Sequence, residues 1–506
     1  MTQPPSARDL TDSERQILLD QLAQIVSDAD VQAPARTFVP LPFHANALRD
    51  QYTVLRGEKG TGKTALFRFV TWLQQQSGPR AVLEMFPGAE LASDSHWIDA
   101  FSEFGSTHPS VMAMDQFGAS ASLEDLRLFW SAYLVVRCAA IDGVGSALDL
   151  SSLSEPARSD PKQLVAWAKE RAAALTSWLD GLERRLSAQG QTVYFAYDHL
   201  DRIGLGNPKT RKQYAGALLG LWMSLSDRYR RLRAKIFIRE DLFEEGQSAV
   251  TDVTKLKNRS IQFRWDDESL YRVLVRHMAA QGPELRAWIE SALQPTNPER
   301  TEPFQLTLFP SSVLPDPERE LLGYMPPYPF LPAQQKKLID CLTDEVIGRG
   351  AAKGPTWKWI LSRIHDARDQ RAPRPLLNLI RFAAEHAKER QSATGRRLLD
   401  TDDLLAALVP TSKQRMDELK SEYRYVWRLE HLRGTTMRLP KKEFVQRLSL
   451  PWPDQEDGMG SQGERVYEEL VRLGVLQSFQ DGSVDVPDLY RYALEIKRVG
   501  RPKTPK

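Results

Sequence analysis

Within Val54–Val70, VLRGEKGTGKTALFRFV, the residues Gly57, Gly62, Lys63 and Thr64 occupy the fixed positions of the pattern G-x-x-x-x-G-K-[ST]. Those types at that spacing handle phosphate. A turn that opens a helix presents backbone N–H groups at a positively polarised terminus, so Gly57, Glu58, Lys59, Gly60, Thr61, Gly62, Lys63, Thr64 and Ala65 form the expected cradle. Glycine at 57, 60 and 62 removes Cβ atoms that would hold the chain off the phosphates. Lys63 is placed to meet the β and γ phosphates, and the Thr64 hydroxyl to meet Mg2+.

A metal touched by Thr64 needs a carboxylate opposite. Asp198 qualifies: it closes the apolar run TVYFAY, Thr192 to Tyr197, and the C-terminal ends of buried parallel strands are where such sheets collect their chemistry. Thr64 and Asp198 are the expected metal pair, with ATP and Mg2+ as cofactors. The general base has three readings: Asp201, His199, or no effective base and slow hydrolysis. Histidine accepts a proton near neutral pH, but burial and neighbouring carboxylates shift its range. Arg239 follows the run AKIFI and is placed to meet the γ phosphate or to relay it to a neighbouring subunit. Arg374, with Arg371 as the fallback, offers a guanidinium from a later helical region. No N-K-x-D run follows the last strand, LKNRS at 256–260 not being one, so ATP is expected over GTP.

The elements that must position these residues follow from periodicity. Tyr52 to Leu55 reads as the strand before the loop, and Ala65, Leu66, Phe67, Phe69, Val70 and Leu73 as the buried face of the helix after it. AVLEMFP, Ala81 to Pro87, reads as a second strand, reached by the turn SGPR. Helical stripes follow, Leu126, Phe129, Trp130 and Tyr133 in one and Leu164, Trp167, Leu175, Trp178 and Leu182 in the next; they are expected in the core. After TVYFAY come a helix over 214–232, the strand AKIFI and the strand RSIQFRW. The expected fold class is an α/β P-loop NTPase core with a parallel sheet, a helical insertion, a helical lid domain and a C-terminal winged-helix-like domain. The boundaries are an N-terminal helical leader at 1–37 with a helix from Asp12 to Ala29, a core at 38–282 with the insertion at about 90–188, a junction and lid at 283–427, and the winged-helix-like domain at 428–506. That last assignment rests on a helix bearing Val466, Leu470 and Leu473, then a hairpin around Asp481 and Gly482.

Composition narrows the classes. With 506 residues, 42% of them hydrophobic and 26% charged, the chain is expected to hold several globular domains. A net charge of +2 gives no global basic field, so any nucleic-acid site must be local. Two such stretches bracket the helices and hairpin of the last domain: Arg428, Arg433, Arg438, Lys441 and Lys442 before them, and Lys497, Arg498, Arg501, Lys503 and Lys506 after them. They make DNA or RNA binding through 428–506 one use of that domain and protein docking the other. Cys138 and Cys341 read as buried thiols of a reducing compartment. With no apolar leader and no long apolar run, a cytoplasmic protein with no membrane span is expected.

The phosphate loop, YFAYDHLDR at 194–202, IFIREDLF at 236–243 and RPLLNLIRFAAEHA further on together resemble the bacterial AAA+/STAND-like P-loop ATPases, a set that includes KAP-type and replication-initiator-like proteins. The resemblance covers about 38–409. It implies that Asp198 holds magnesium, that Arg239 follows the sensor strand and that Arg374 is the lid arginine. The family's next residue is usually an acid acting as base; His199 departs from it and points to slower turnover. The resemblance also implies a nucleotide-dependent homo-oligomer, with a protein effector and a role in antiviral defence as further associations. The expected function is an ATP-binding, ATP-hydrolysing switch coupling nucleotide state to self-association and partner engagement; the alternative is a nucleotide-stabilised scaffold or interaction module with little turnover, with DNA among the partners it could bind.

Overall fold

The computed structural model describes residues 9–28, 34–102, 108–139, 150, 153–204, 207–295, 303–307, 323–347, 354–390, 393–395 and 397–498. The chain divides into two units, one containing Pro40–Phe263 and the other the described residues before and after it.

The first unit is built on five parallel strands, β1 Val54–Gly57, β2 Ser95–Phe101, β3 Thr192–Tyr197, β4 Leu232–Arg239 and β5 Ser260–Gln262, in the order β2-β3-β4-β1-β5. Every residue of β3 is buried and β4 is buried at all but one position, as a parallel sheet covered on both faces requires. The edge strands β2 and β5 are more polar and partly exposed. The helical stripes lie in the core: Leu126, Phe129, Trp130, Tyr133, Leu164, Trp167, Leu175, Trp178 and Leu182 join the inner face of β3 and β4 in one apolar cluster.

Two expectations fail here. Ala81–Met85 is helical, not a strand. Lys63–Met85 consists of two helical segments joined at Gly78, whose φ of 75° breaks the first, and Pro79 sits at the start of the second. Proline is pre-shaped for the first turn of a helix, and Ala81, Val82 and Met85 are buried at helical spacing. The second strand is instead SHWIDAF, Ser95–Phe101, within the stretch read as helical insertion. As an edge strand with His96 and Asp99 in it, this segment has no continuous apolar run to announce it.

The second unit begins with a helix, Asp12–Ala23, which stops short of the expected Ala29. Further helices at Asp267–Ala279, Pro283–Leu293, Pro332–Leu342, Thr356–Arg363, Pro373–Arg390 and Thr401–Glu422 follow. Within the expected junction and lid, much of the proline-bearing stretch at 295–332 lies outside the described residues. The C-terminal part has the expected helices and hairpin: Lys441–Leu448, Gly463–Arg472, and an antiparallel sheet in which Ser483–Asp485 lies between Leu439–Pro440 and Gln477–Ser478. Gly482, at φ 76°, makes the hairpin turn. Its core reaches back to Met416 and Leu419 of the preceding helix. Among the described residues no helix is long and apolar enough to cross a membrane, and Cys138 and Cys341 are buried thiols.

Candidate functional site

The glycine-rich turn connects β1 to the helix beginning at Lys63. Gly60 and Gly62 have φ of 85° and 86°, a region that costs glycine nothing. Gly57 is required for a different reason: a Cβ there would lie 2.7 Å from Thr61 Oγ1 and 3.2 Å from Phe263 Cβ. Lys63 is 8% exposed, and its Nζ donates to the carbonyls of Gly57 at 2.7 Å and Glu58 at 2.9 Å. Burial lowers its pKa to about 8, Arg239 pushes in the same direction, and Asp201, Asp198 and Glu58 oppose. The loop therefore holds a desolvated cation whose hydrogen-bond partners are neutral oxygens.

Asp198 directly follows β3 and is 3% exposed. Its N–H donates to Phe101 O at 2.9 Å, which ties the end of β3 to β2. The carboxylate accepts a hydrogen bond from the Thr64 side chain. Oδ2 is buried without a hydrogen-bond partner and stands 3.9 Å from His199 Nε2. Burial raises the Asp198 pKa, while His199 and the Thr64 hydrogen bond pull it down. A hydroxyl and a carboxylate facing each other, with one buried oxygen unbonded, suit a small hard cation that takes oxygen ligands and draws most of its shell from phosphate and water. Among the described residues no group of three or more His, Cys, Asp or Glu side chains could hold a metal without such help.

Register explains why Arg239 belongs to this site. Tyr197 at the end of β3 pairs with Ile236, and Gly57 at the end of β1 pairs with Arg239, so β4 runs three residues past β3 and delivers Arg239 beside the loop. His199, at φ 55°, turns the chain into the short helix Leu200–Arg202, which carries Asp201. Arg239 NH1 is 3.5 Å from Asp201 Oδ2, and its Nε donates to Asp241 Oδ1 at 3.1 Å. Asp241, buried at the start of the helix Glu240–Gly246, is the member of this group for which sequence reading had no role. On β1, Arg56 pairs with Glu240 and lies 5.0 Å from the Phe243 ring.

Lys63, Thr64, Asp198, His199, Asp201 and Arg239 are thus brought together. Arg371 and Arg374 lie in the other unit, where Arg371 pairs with Asp267, and Arg374 lies 3.2 Å from Glu418 and 3.5 Å from Asp28.

The basic stretches around the C-terminal domain are changed by folding. Arg428 is fully buried, its Nε and NH2 donating to Asp457 at 2.6 and 2.8 Å and its other hydrogen bonds going to the Leu448 and Gly460 carbonyls. It is a core residue and cannot contact phosphate. Arg433 pairs with Glu430 and Glu495, Lys441 with Glu464, and Arg498 with Asp485 and Asp488. Arg501, Lys503 and Lys506 lie outside the described residues.

No family model matches the chain, and no curated protein matches it. Among solved structures it is similar to the Aeropyrum pernix ORC2 protein in ADPNP–ADP complexes, at 12% identity over 90% of this chain and 94% of that one, with a TM-score of 0.40. It is also similar to the Aeropyrum pernix ORC1 protein in complex with DNA, at 15% identity over 95% and 91% of the two chains, with a TM-score of 0.30. Likeness at this level assigns neither family nor activity, and the phosphate loop stands on its own geometry.

Proposed function

We propose that this chain binds ATP with Mg2+ at Gly57–Ala65 and uses the bound state to govern self-association and partner engagement, with slow turnover. One observation carries the reading: the Thr64 side chain meets the Asp198 carboxylate, whose second oxygen is buried and unbonded, beside the desolvated Lys63. The loop N–H groups and Lys63 hold phosphate, Lys63 trading the Gly57 and Glu58 carbonyls for more strongly charged oxygens. Thr64 and Asp198 hold the metal. Mg2+, when bound, supplies the charge that neutralises the β and γ oxygens. Arg239 is the second cation of the site and the residue through which a terminal phosphate is sensed.

Slow turnover is favoured by the surroundings of the two base candidates. His199 is buried, and Asp201 is engaged by Arg239. That arrangement suits a nucleotide-stabilised interaction module better than a fast motor. Partner engagement through 428–506 is read as protein docking, supported by the carboxylate pairing of Arg433, Lys441 and Arg498 and the burial of Arg428. Titration of the full chain with a non-hydrolysable ATP analogue tests the reading, with light scattering on the same samples. Saturable binding that GTP competes for poorly, and a rise in mass with the analogue, are expected; absence of binding in the folded protein overturns it.

A further inference from the structure

Arg239 holds two carboxylates of different character, and the difference has a use. Asp241 is 4% exposed and follows Arg239 in the chain by two residues, so its contact to Nε is part of the packed end of β4. Asp201 has a side chain 30% exposed, sits on the short turn after His199, and meets the terminal nitrogen NH1 at the longer distance of 3.5 Å. One carboxylate therefore anchors the guanidinium at its root; the other meets its tip from an element that solvent reaches.

Resting on the ATP reading above, we infer that Asp201 is a built-in competitor for the terminal phosphate: it occupies the tip of Arg239, and a γ phosphate displaces it while Asp241 keeps the arginine in place. The charges support this order. Lys63 feels Arg239, Asp201 and Asp198 together, so all four groups share one electrostatic site. A triphosphate brings its terminal charge to two cations already in place and repels Asp201, whereas a diphosphate lacks the oxygens that would take the tip of Arg239. Discrimination between the two nucleotides is then set by the Asp201–Arg239 contact. Asp201 acts through Arg239 and is a positioning residue in this role.

The test is a double-mutant cycle read by equilibrium binding, with the full chain, Asp201→Asn, Arg239→Gln and the double variant each titrated with ADP and with a non-hydrolysable ATP analogue. Asp201→Asn is expected to tighten the triphosphate about tenfold and ADP less than twofold, and the gain is expected to vanish in the Arg239→Gln background. Equal tightening of both nucleotides, or a gain that persists without Arg239, would show simple charge repulsion and overturn the inference. No change on Asp201→Asn overturns it as well. Failure of the underlying reading looks different: the unmodified chain would bind neither nucleotide, or would bind both with an affinity that Lys63→Ala leaves unchanged.

Discussion

The phosphate loop and the C-terminal domain both carry clustered charge, but they spend it in opposite ways. Around the loop, Lys63 is buried against neutral carbonyls, Asp198 keeps one oxygen unbonded, and Arg239 stretches to Asp201 at 3.5 Å. Around the hairpin domain, Arg428 has a bidentate carboxylate and two carbonyls, Lys441 is 2.5 Å from Glu464 and Arg433 is 2.6 Å from Glu495. Burying an ion without a full set of partners costs several kcal/mol, a cost that a binding site recovers when its ligand arrives. The first region is therefore poised for a ligand. Among the described residues the second pairs Arg428, Arg433, Lys441 and Arg498, which sequence alone assigned to a surface, with carboxylates of its own.

The largest effect expected from breaking this contrast lies in the C-terminal domain. Arg428→Ala strands the Asp457 carboxylate in a site built to hold its partner and should cost about 3–5 kcal/mol there. Hydrogen exchange across 441–490 is expected to accelerate while exchange in β3 and β4 is unchanged; native-like protection of that domain would mean that Arg428 is dispensable. A fragment starting at 428 should show the same looseness, since it lacks Met416, Leu419, Tyr423, Tyr425 and Val426 of the domain's own core.

Lys63→Ala comes next. Losing a desolvated cation from the loop should weaken triphosphate binding by about 30-fold or more, since truncating one partner of a buried charged contact costs about 2 kcal/mol at least, in a protein that stays folded. Near-normal affinity by direct titration would place the nucleotide elsewhere.

A pH series sharpens the same comparison without mutation. With a folded pKa near 8 against an ordinary 10.5, Lys63 loses its proton in the folded chain before it does in the unfolded one. Between about 8 and 10.5 the unfolded state holds more protons, so this group makes stability rise with pH across that window. Nucleotide binding needs the ammonium form and should run the other way, weakening above about pH 8 with proton uptake on binding. Calorimetry in buffers of different ionisation enthalpy, at matched pH, reads that uptake; a constant zero would contradict the assignment.

The smallest effect is expected from neutralising Lys441 and Lys442. Lys441 is matched by Glu464 and Lys442 is a single exposed cation, so replacing both with alanine should change any salt-sensitive nucleic-acid binding less than about threefold. A drop of a hundredfold or more would restore the domain as a phosphate-contacting surface.

How much of this was legible depended on whether the signal was local. The loop, Asp198 just after a buried, mostly apolar strand, and Arg239 after the apolar run IFI could be read because each is a short run with an abrupt chemical change. The hairpin was legible from Asp481 and Gly482 for the same reason. The strand Ser95–Phe101 was not, because Ser95, His96 and Asp99 break up its apolar residues without a regular alternation and its register shifts between Asp99 and Phe101. Ala81–Met85 misled because a short apolar segment serves a buried helix or a strand equally well, and Pro79 was read as a break when it starts a helix. The Arg239–Asp201 and Arg428–Asp457 contacts could not be read at all. The first depends on β4 lying between β1 and β3, the second on a carboxylate arriving from beyond the next helix.

The measurement closest to the central claim is the magnesium dependence of triphosphate binding in the unmodified chain and in Asp198→Asn, by titration with a non-hydrolysable analogue. Removing Mg2+ is expected to weaken binding to the unmodified chain by about tenfold or more, while Asp198→Asn, left with Thr64 and the phosphate oxygens on the metal, is expected to depend on Mg2+ clearly less. Equal magnesium dependence in the two proteins would contradict the assignment of Asp198 and Thr64 as the metal pair.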